Sequence, residues 1–123
     1  MEAELRTKGA SLTDELFTPD EVAYCEGKRY PARHFAARFA AKEAVFKALG
    51  ADPAKGHSWR EVEIRNEATG QPHVLLHGDT RGLARGRRVD TVLLSLTHTA
   101  ELAAATVVLE SRELPTSARE VTG

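Results

Sequence analysis

The chain has 123 residues, enough to bury one core, and a second independent domain is excluded. Its 41% hydrophobic and 28% charged residues give an ordinary globular balance, neither a disordered tail nor a membrane protein. Seventeen basic against eighteen acidic side chains leave a net charge of −1, so no overall field draws the molecule to nucleic acid or an anionic bilayer, and any anion site has to be local.

MEAELRTKGASLTDEL carries Leu5, Leu12 and Leu16 with Gly9 between them, which suits a short, weak amphipathic helix or a frayed terminus. No apolar leader opens the chain and the single cysteine, Cys25, has no internal partner, a pattern expected of a cytoplasmic protein in which Cys25 is a packing residue. In FTPDEVAYC, Thr18 is placed as N-cap, Pro19 in the first helical position and Glu21 three residues after the cap, predicting a helix that runs to about Glu26 before Gly27. Ala32 to Leu49 contains neither Gly nor Pro and is followed by Gly50, which predicts a long third helix. At about 100° per residue, Phe35, Phe39, Phe46 and Leu49 share one apolar stripe; Lys42 falls in its middle, with Glu43 and Lys47 along one flank.

WREVEIRN alternates Trp59, Val62 and Ile64 with charges and reads as an edge-exposed strand, returning through ATGQP to His73–His77 in a hairpin with Gly70 at positive φ. Gly78 to Arg88, with Arg81, Arg85, Arg87 and Arg88, reads as a short helix or a loop. Val89–Thr97 and Leu102–Leu109 are the most β-like segments and are expected to be adjacent antiparallel strands at the centre of the sheet. The longest apolar candidate, Leu102 to Leu109, is far short of the roughly 18 residues of a membrane span. SRELPTSAREVTG after Glu110 reads as a disordered tail.

Two features carry chemistry. A lysine at the centre of an apolar stripe, Lys42, must either snorkel outward or meet a buried anion. SLTHT at Ser95 to Thr99 ends a strand with hydroxyls and an imidazole able to grip phosphate oxygens, although hydroxyls on alternate positions equally serve as cross-strand partners. The basic loop lacks interleaved aromatics, which argues against nucleic acid. His34, His57, His73 and His77 show no metal-ligand spacing, and Arg6 and Lys8 read as solvated terminal charges.

Together and in this order, the two features resemble a known family. RFAAKEAVFKALG at Arg38 to Gly50 is similar to the signature helix of holo-acyl-carrier-protein synthases, which are phosphopantetheinyl transferases, and LSLTHT to their SLSHT strand end. FTPDEVAYC, SWREVEIRNEATGQP and ELAAATVVLE resemble further segments of the family, so the likeness covers Leu16 to Glu110. It implies an α+β fold, an antiparallel sheet packed against a long helix, with residues 1–110 as one phosphopantetheinyl transferase-like domain and 111–123 as a polar tail. It also implies transfer of the 4′-phosphopantetheine arm from coenzyme A to a serine of apo acyl carrier protein, in fatty acid or polyketide synthesis, with Mg²⁺ on the pyrophosphate. Glu43 matches the metal-binding glutamate, and Lys42 and Lys47 match the lysines that neutralise phosphate, Glu43 and Lys47 being the catalytic pair. Ser95, Thr97 and His98 match the strand end that helps hold coenzyme A from a neighbouring subunit of a homotrimer.

The family's first strand, with a GxDIV pattern whose aspartate is a second metal ligand, has no counterpart here, and neither Glu2, Glu4, Asp14 nor Glu15 follows the required apolar strand. No residue is assigned that role. Three readings remain open: a start codon placed too far downstream on an ordinary synthase, a diverged enzyme using water or another carboxylate, or a non-catalytic relative that binds coenzyme A or a carrier protein.

Overall fold

The structure is a computed structural model that describes residues 10–111. Its order is α1 (Ala10–Leu16), α2 (Pro19–Glu26), α3 (Pro31–Leu49), two 3₁₀ turns (Pro53–Lys55 and Trp59–Glu61), β1 (Val62–Asn66), β2 (Pro72–Leu76), α4 (Gly78–Gly86), β3 (Thr91–His98) and β4 (Ala103–Glu110). Leu5, Arg6, Lys8 and the tail from 112 lie outside the described residues.

The capping box forms as its spacing predicts: the Glu21 amide donates to Thr18 Oγ1 at 3.3 Å and the Thr18 amide to Glu21 Oε1 at 2.9 Å. The long helix starts one residue earlier than expected, because Pro31 supplies the fixed φ of its first turn. It ends at Gly50, whose φ of 71° is the left-handed cap that glycine adopts without a Cβ penalty. Gly78 to Gly86 resolves as helix rather than loop.

The α+β class stands, with one correction to the sheet. β1 pairs with β2 (Val62 opposite Leu76) and β3 with β4 (Thr91 opposite Glu110), both antiparallel, and among the described residues these are two separate two-stranded ladders instead of one sheet with β3 and β4 at its centre. α4, between β2 and β3, separates the hairpins along the chain. β1 is also not the exposed edge expected of it: Val62, Glu63 and Ile64 are all buried. Ala41, Val45, Phe46 and Leu49 of α3 form the main core with Val62, Ile64, Ala84 and Leu94. A second cluster joins Leu12, Leu16, Phe17, Cys25 and Phe35. Burial pushes the Cys25 thiol up to about 12, with neighbouring charges as smaller influences, consistent with a packing residue.

Lys42 is wholly buried, and it meets an anion. Its Nζ lies 2.8 Å from Glu21 Oε1 and donates to the carbonyls of Trp59, at 3.1 Å, and Val62. Three ammonium protons thus have three interior acceptors, and the expected contact of Lys42 with coenzyme A phosphates is corrected: the side chain is spent on the core. Glu21 in turn accepts from the Ile64 amide at 2.9 Å through its other oxygen. One buried pair therefore ties α3 to α2, to the Trp59 turn and to β1.

A second buried carboxylate, Glu63, accepts from Thr18 Oγ1 at 3.0 Å and Arg65 Nε at 3.2 Å, and pairs with His77 Nε2 at 2.8 Å. These partners explain how β1 buries a charge on its second face. Burial alone would raise its carboxyl, but the bonds from His77, Thr18 and Arg65 outweigh that and hold it below the usual range.

Removing one member of the Lys42–Glu21 pair leaves an uncompensated buried charge, so Glu21→Ala or Lys42→Met is expected to cost about 3–5 kcal/mol, while the double variant Glu21→Leu/Lys42→Met recovers much of that loss. Thermal unfolding checks it: each single variant should melt more than about 10 °C below the parent. A carboxyl depressed on folding stabilises above its unfolded pKa, and that stability disappears as pH falls through the depressed folded value. Urea midpoints measured from about pH 5 down to about pH 3 are therefore expected to fall less steeply for Glu63→Gln than for the parent.

Candidate active site

With Lys42 anchored inward, helical geometry turns residue 43 away by about 100° and residue 47 by about 140°, which brings both to the same exposed flank of α3. Glu43 and Lys47 open there onto a cleft of about 730 Å³. Its other walls are Glu15 of α1, Phe46 of α3, and Ala51 through Ala54 with His57, Ser58 and Trp59 of the following turns. The Trp59 ring is fixed against Phe39, at 4.7 Å between centroids, and edge-on to Phe46 at 5.5 Å, so one side of the cleft is a rigid aromatic wall. The turns that carry His57 to this side depend on Asp52, which caps the first by accepting from the Ala54 amide at 2.9 Å, and on Ser58, which caps the second by accepting from the Arg60 amide at 3.2 Å.

The structure brings together two of the expected site residues, Glu43 and Lys47, and adds Glu15, Asp52 and His57. Carboxylates beside an ammonium suit a phosphate-bearing ligand with its cation. The expected trio on β3 is divided. Ser95 and Thr97 project from the exposed face, opposite Thr106 and Ala104, whereas His98 turns inward against His34, 4.7 Å between ring centroids. Burial, followed by His98, Lys28 and Arg38, holds the His34 imidazole below its usual value. None of the three lines the Glu43 cleft of its own chain.

His98 Nδ1 is buried without a hydrogen-bond partner among the described residues, as is Arg38 Nε. Arg38 lies over the Tyr24 ring at 4.0 Å and donates to Asn66 Oδ1 at 2.6 Å. Sequence spacing missed His57 and Glu15 because neither shares a periodic face with Glu43: one arrives through the turns after Gly50, the other from α1. Among the described residues, no three metal-ligating side chains gather closely enough to hold an ion by themselves.

A family model described as the 4′-phosphopantetheinyl transferase superfamily matches residues 1–107. The holo-[acyl-carrier-protein] synthase of Geotalea daltonii is 46% identical over 100 residues, 81% of this chain and 80% of that protein. The Moorella thermoacetica synthase is 47% identical over 100 residues, 81% of this chain and 77% of its own. Among solved structures, the synthase of Neisseria meningitidis superimposes with a TM-score of 0.79 at 28% identity, covering 89% of both chains. That of Bacillus anthracis, in complex with CoA (3′,5′-ADP), gives 0.70 at 29% identity, again covering 89% of each. The signature helix, the cleft on its flank and these likenesses agree, and the chain belongs to the holo-[acyl-carrier-protein] synthase family of 4′-phosphopantetheinyl transferases.

Proposed function

We propose that the chain transfers the 4′-phosphopantetheine arm of coenzyme A to a serine of an apo acyl carrier protein, releasing 3′,5′-ADP. The observation that carries this reading is the exposed pair Glu43 and Lys47, presented side by side on the flank of α3 into a cleft of about 730 Å³. Lys47 is the cation for the pyrophosphate; phosphoryl transfer depends on positioned charge more than on covalent chemistry by the protein.

The donor set fits Mg²⁺. Glu43 offers a hard oxygen ligand, and Mg²⁺ ordinarily takes one or two carboxylates together with substrate phosphates and water. When bound, the ion would neutralise charge that develops on the phosphates. Glu43 would hold it.

Ser95 and Thr97 serve coenzyme A from a neighbouring copy in a homotrimer. Support comes from the face they share, where Leu93 is 46% and Val108 49% exposed beside the Ser95 and Thr97 hydroxyls, an apolar patch suited to a second subunit. No described helix is long and apolar enough to cross a membrane, and the reaction belongs to the cytoplasm, where carrier protein and coenzyme A meet.

The test is mass spectrometry of apo acyl carrier protein incubated with the chain, coenzyme A and Mg²⁺, where the carrier is expected to gain one phosphopantetheine. Glu43→Gln should abolish the gain while coenzyme A binding survives, and unchanged turnover would remove the metal role. Lys47→Ala should weaken coenzyme A binding about 10- to 100-fold, the loss of a charge-assisted contact. Tight coenzyme A binding by the parent chain with no modified carrier would mark a binding module instead of an enzyme.

A further inference from the structure

His57 lines the cleft with Glu43 and Lys47, and its ring is tied down from behind. Its Nδ1 lies 3.0 Å from Thr80 Oγ1, and Thr80 Oγ1 lies 2.7 Å from Glu61 Oε1. Thr80 is fully buried, so its one hydroxyl proton has no water to go to. Glu61 also accepts from the Thr80 amide at 3.2 Å and sits so close to Gly78 that a Cβ there would meet Glu61 Oε2 at 2.6 Å. Burial would raise the Glu61 carboxyl, but the Thr80 hydroxyl, the Thr80 and Asp79 amides and His57 together hold it below the usual range, so it is an ionised acceptor.

Proton placement follows. A carboxylate only accepts, so the Thr80 hydroxyl donates to Glu61. Its oxygen is then the acceptor for His57, which fixes the neutral imidazole as the Nδ1–H tautomer. Nε2 is left with its lone pair, on a ring that lines the cleft. Protonation there changes nothing behind it: Nδ1–H keeps Thr80, and Glu61 Oε1, 3.6 Å from Nδ1, stabilises the imidazolium. The Phe46 ring, 6.3 Å away between centroids, flanks the imidazole.

From this arrangement, and resting on the transferase reading above, we infer that His57 Nε2 is the general base that takes the proton of the carrier serine, with Thr80 and Glu61 as its positioning residues. In the step, the serine Oγ–H proton passes to Nε2 and Oγ bonds to the β-phosphorus of coenzyme A. The bond from that phosphorus to the bridging oxygen breaks, 3′,5′-ADP leaves with the electron pair, and the imidazolium returns its proton to solvent. Glu15, Glu43 and Asp52 line the same cleft from α1, α3 and the first turn, Lys47 is the cation among its described lining residues, and Glu61 Oε1 lies 3.6 Å behind the ring.

A base must be unprotonated to act, so the parent kcat is expected to show a limb that rises with pH. His57→Gln should lose about 10²–10⁴-fold in kcat together with that rising limb, while coenzyme A affinity is unchanged. Thr80→Ser should keep the parent profile, and Thr80→Val should lower kcat without moving coenzyme A affinity. Long-range ¹⁵N NMR of the parent should find His57 with its proton on Nδ1 at about pH 8, a readout independent of turnover. An active parent whose His57→Gln variant keeps both kcat and the rising limb overturns the role of His57 alone, as does a proton found on Nε2. A parent that modifies no carrier overturns the transferase reading and this inference with it.

Discussion

The buried ion pair of Lys42 and Glu21 is the constraint that orders the rest. A charge pair at the centre of a small core is a poor source of stability, since desolvation offsets most of the attraction, yet it admits very few arrangements of its neighbours. Glu21 reaches its position only because the capping box fixes the first turn of α2, and it then spends its second oxygen on the Ile64 amide of β1. Lys42 completes the node with the carbonyls of Trp59 and Val62, at the point where the second 3₁₀ turn passes into the strand. The rotation of α3 about its axis is thereby set. Because Lys42 points in, Glu43 and Lys47 point along an open flank, and the interior ion pair aims these exterior side chains.

The Glu61 to Glu63 segment repeats the principle at its two acidic positions. Glu63 gathers Thr18, Arg65 and His77 and holds the N-terminus of α2 to the first hairpin. Glu61, two residues earlier, gathers Thr80 and His57 and holds the start of α4 to the turn beside the cleft. Val62 between them is fully buried against α3. The end of the second 3₁₀ turn and the strand that follows it thus serve as a junction for three helices, with carboxylates where a purely apolar segment would have only packing.

The parts of this fold that were legible in the sequence are those written in local chemistry. Thr18, Pro19 and Glu21 specify a helix start within four positions, and Gly50 specifies an end, because caps are satisfied by near neighbours. The stripe of Phe35, Phe46 and Leu49 was readable, and so was the fact that Lys42 needed an explanation. Its partner was not: Glu21 is 21 residues away and looks like an ordinary capping glutamate until both are folded. α4 was ambiguous for a similar reason. Much of what caps it comes from Glu61, in a different element, and only that carboxylate makes the glycine-rich start of the helix intelligible.

The candidate site divides along the same line. Glu43 and Lys47 follow from periodicity on one helix, whereas His57 depends on the two capped turns after Gly50, whose path no spacing rule encodes. On β3 the information was present but under-used: alternation by two separates Ser95 and Thr97 from His98, so a trio adjacent in sequence is bound to point both ways across a hairpin. Those three side chains share no single face, and none of them lines the Glu43 cleft of its own chain. The exposed Leu93 and Val108 lie on the Ser95 and Thr97 face and not the His98 face, so the same alternation that splits the trio also gathers apolar surface beside the two hydroxyls.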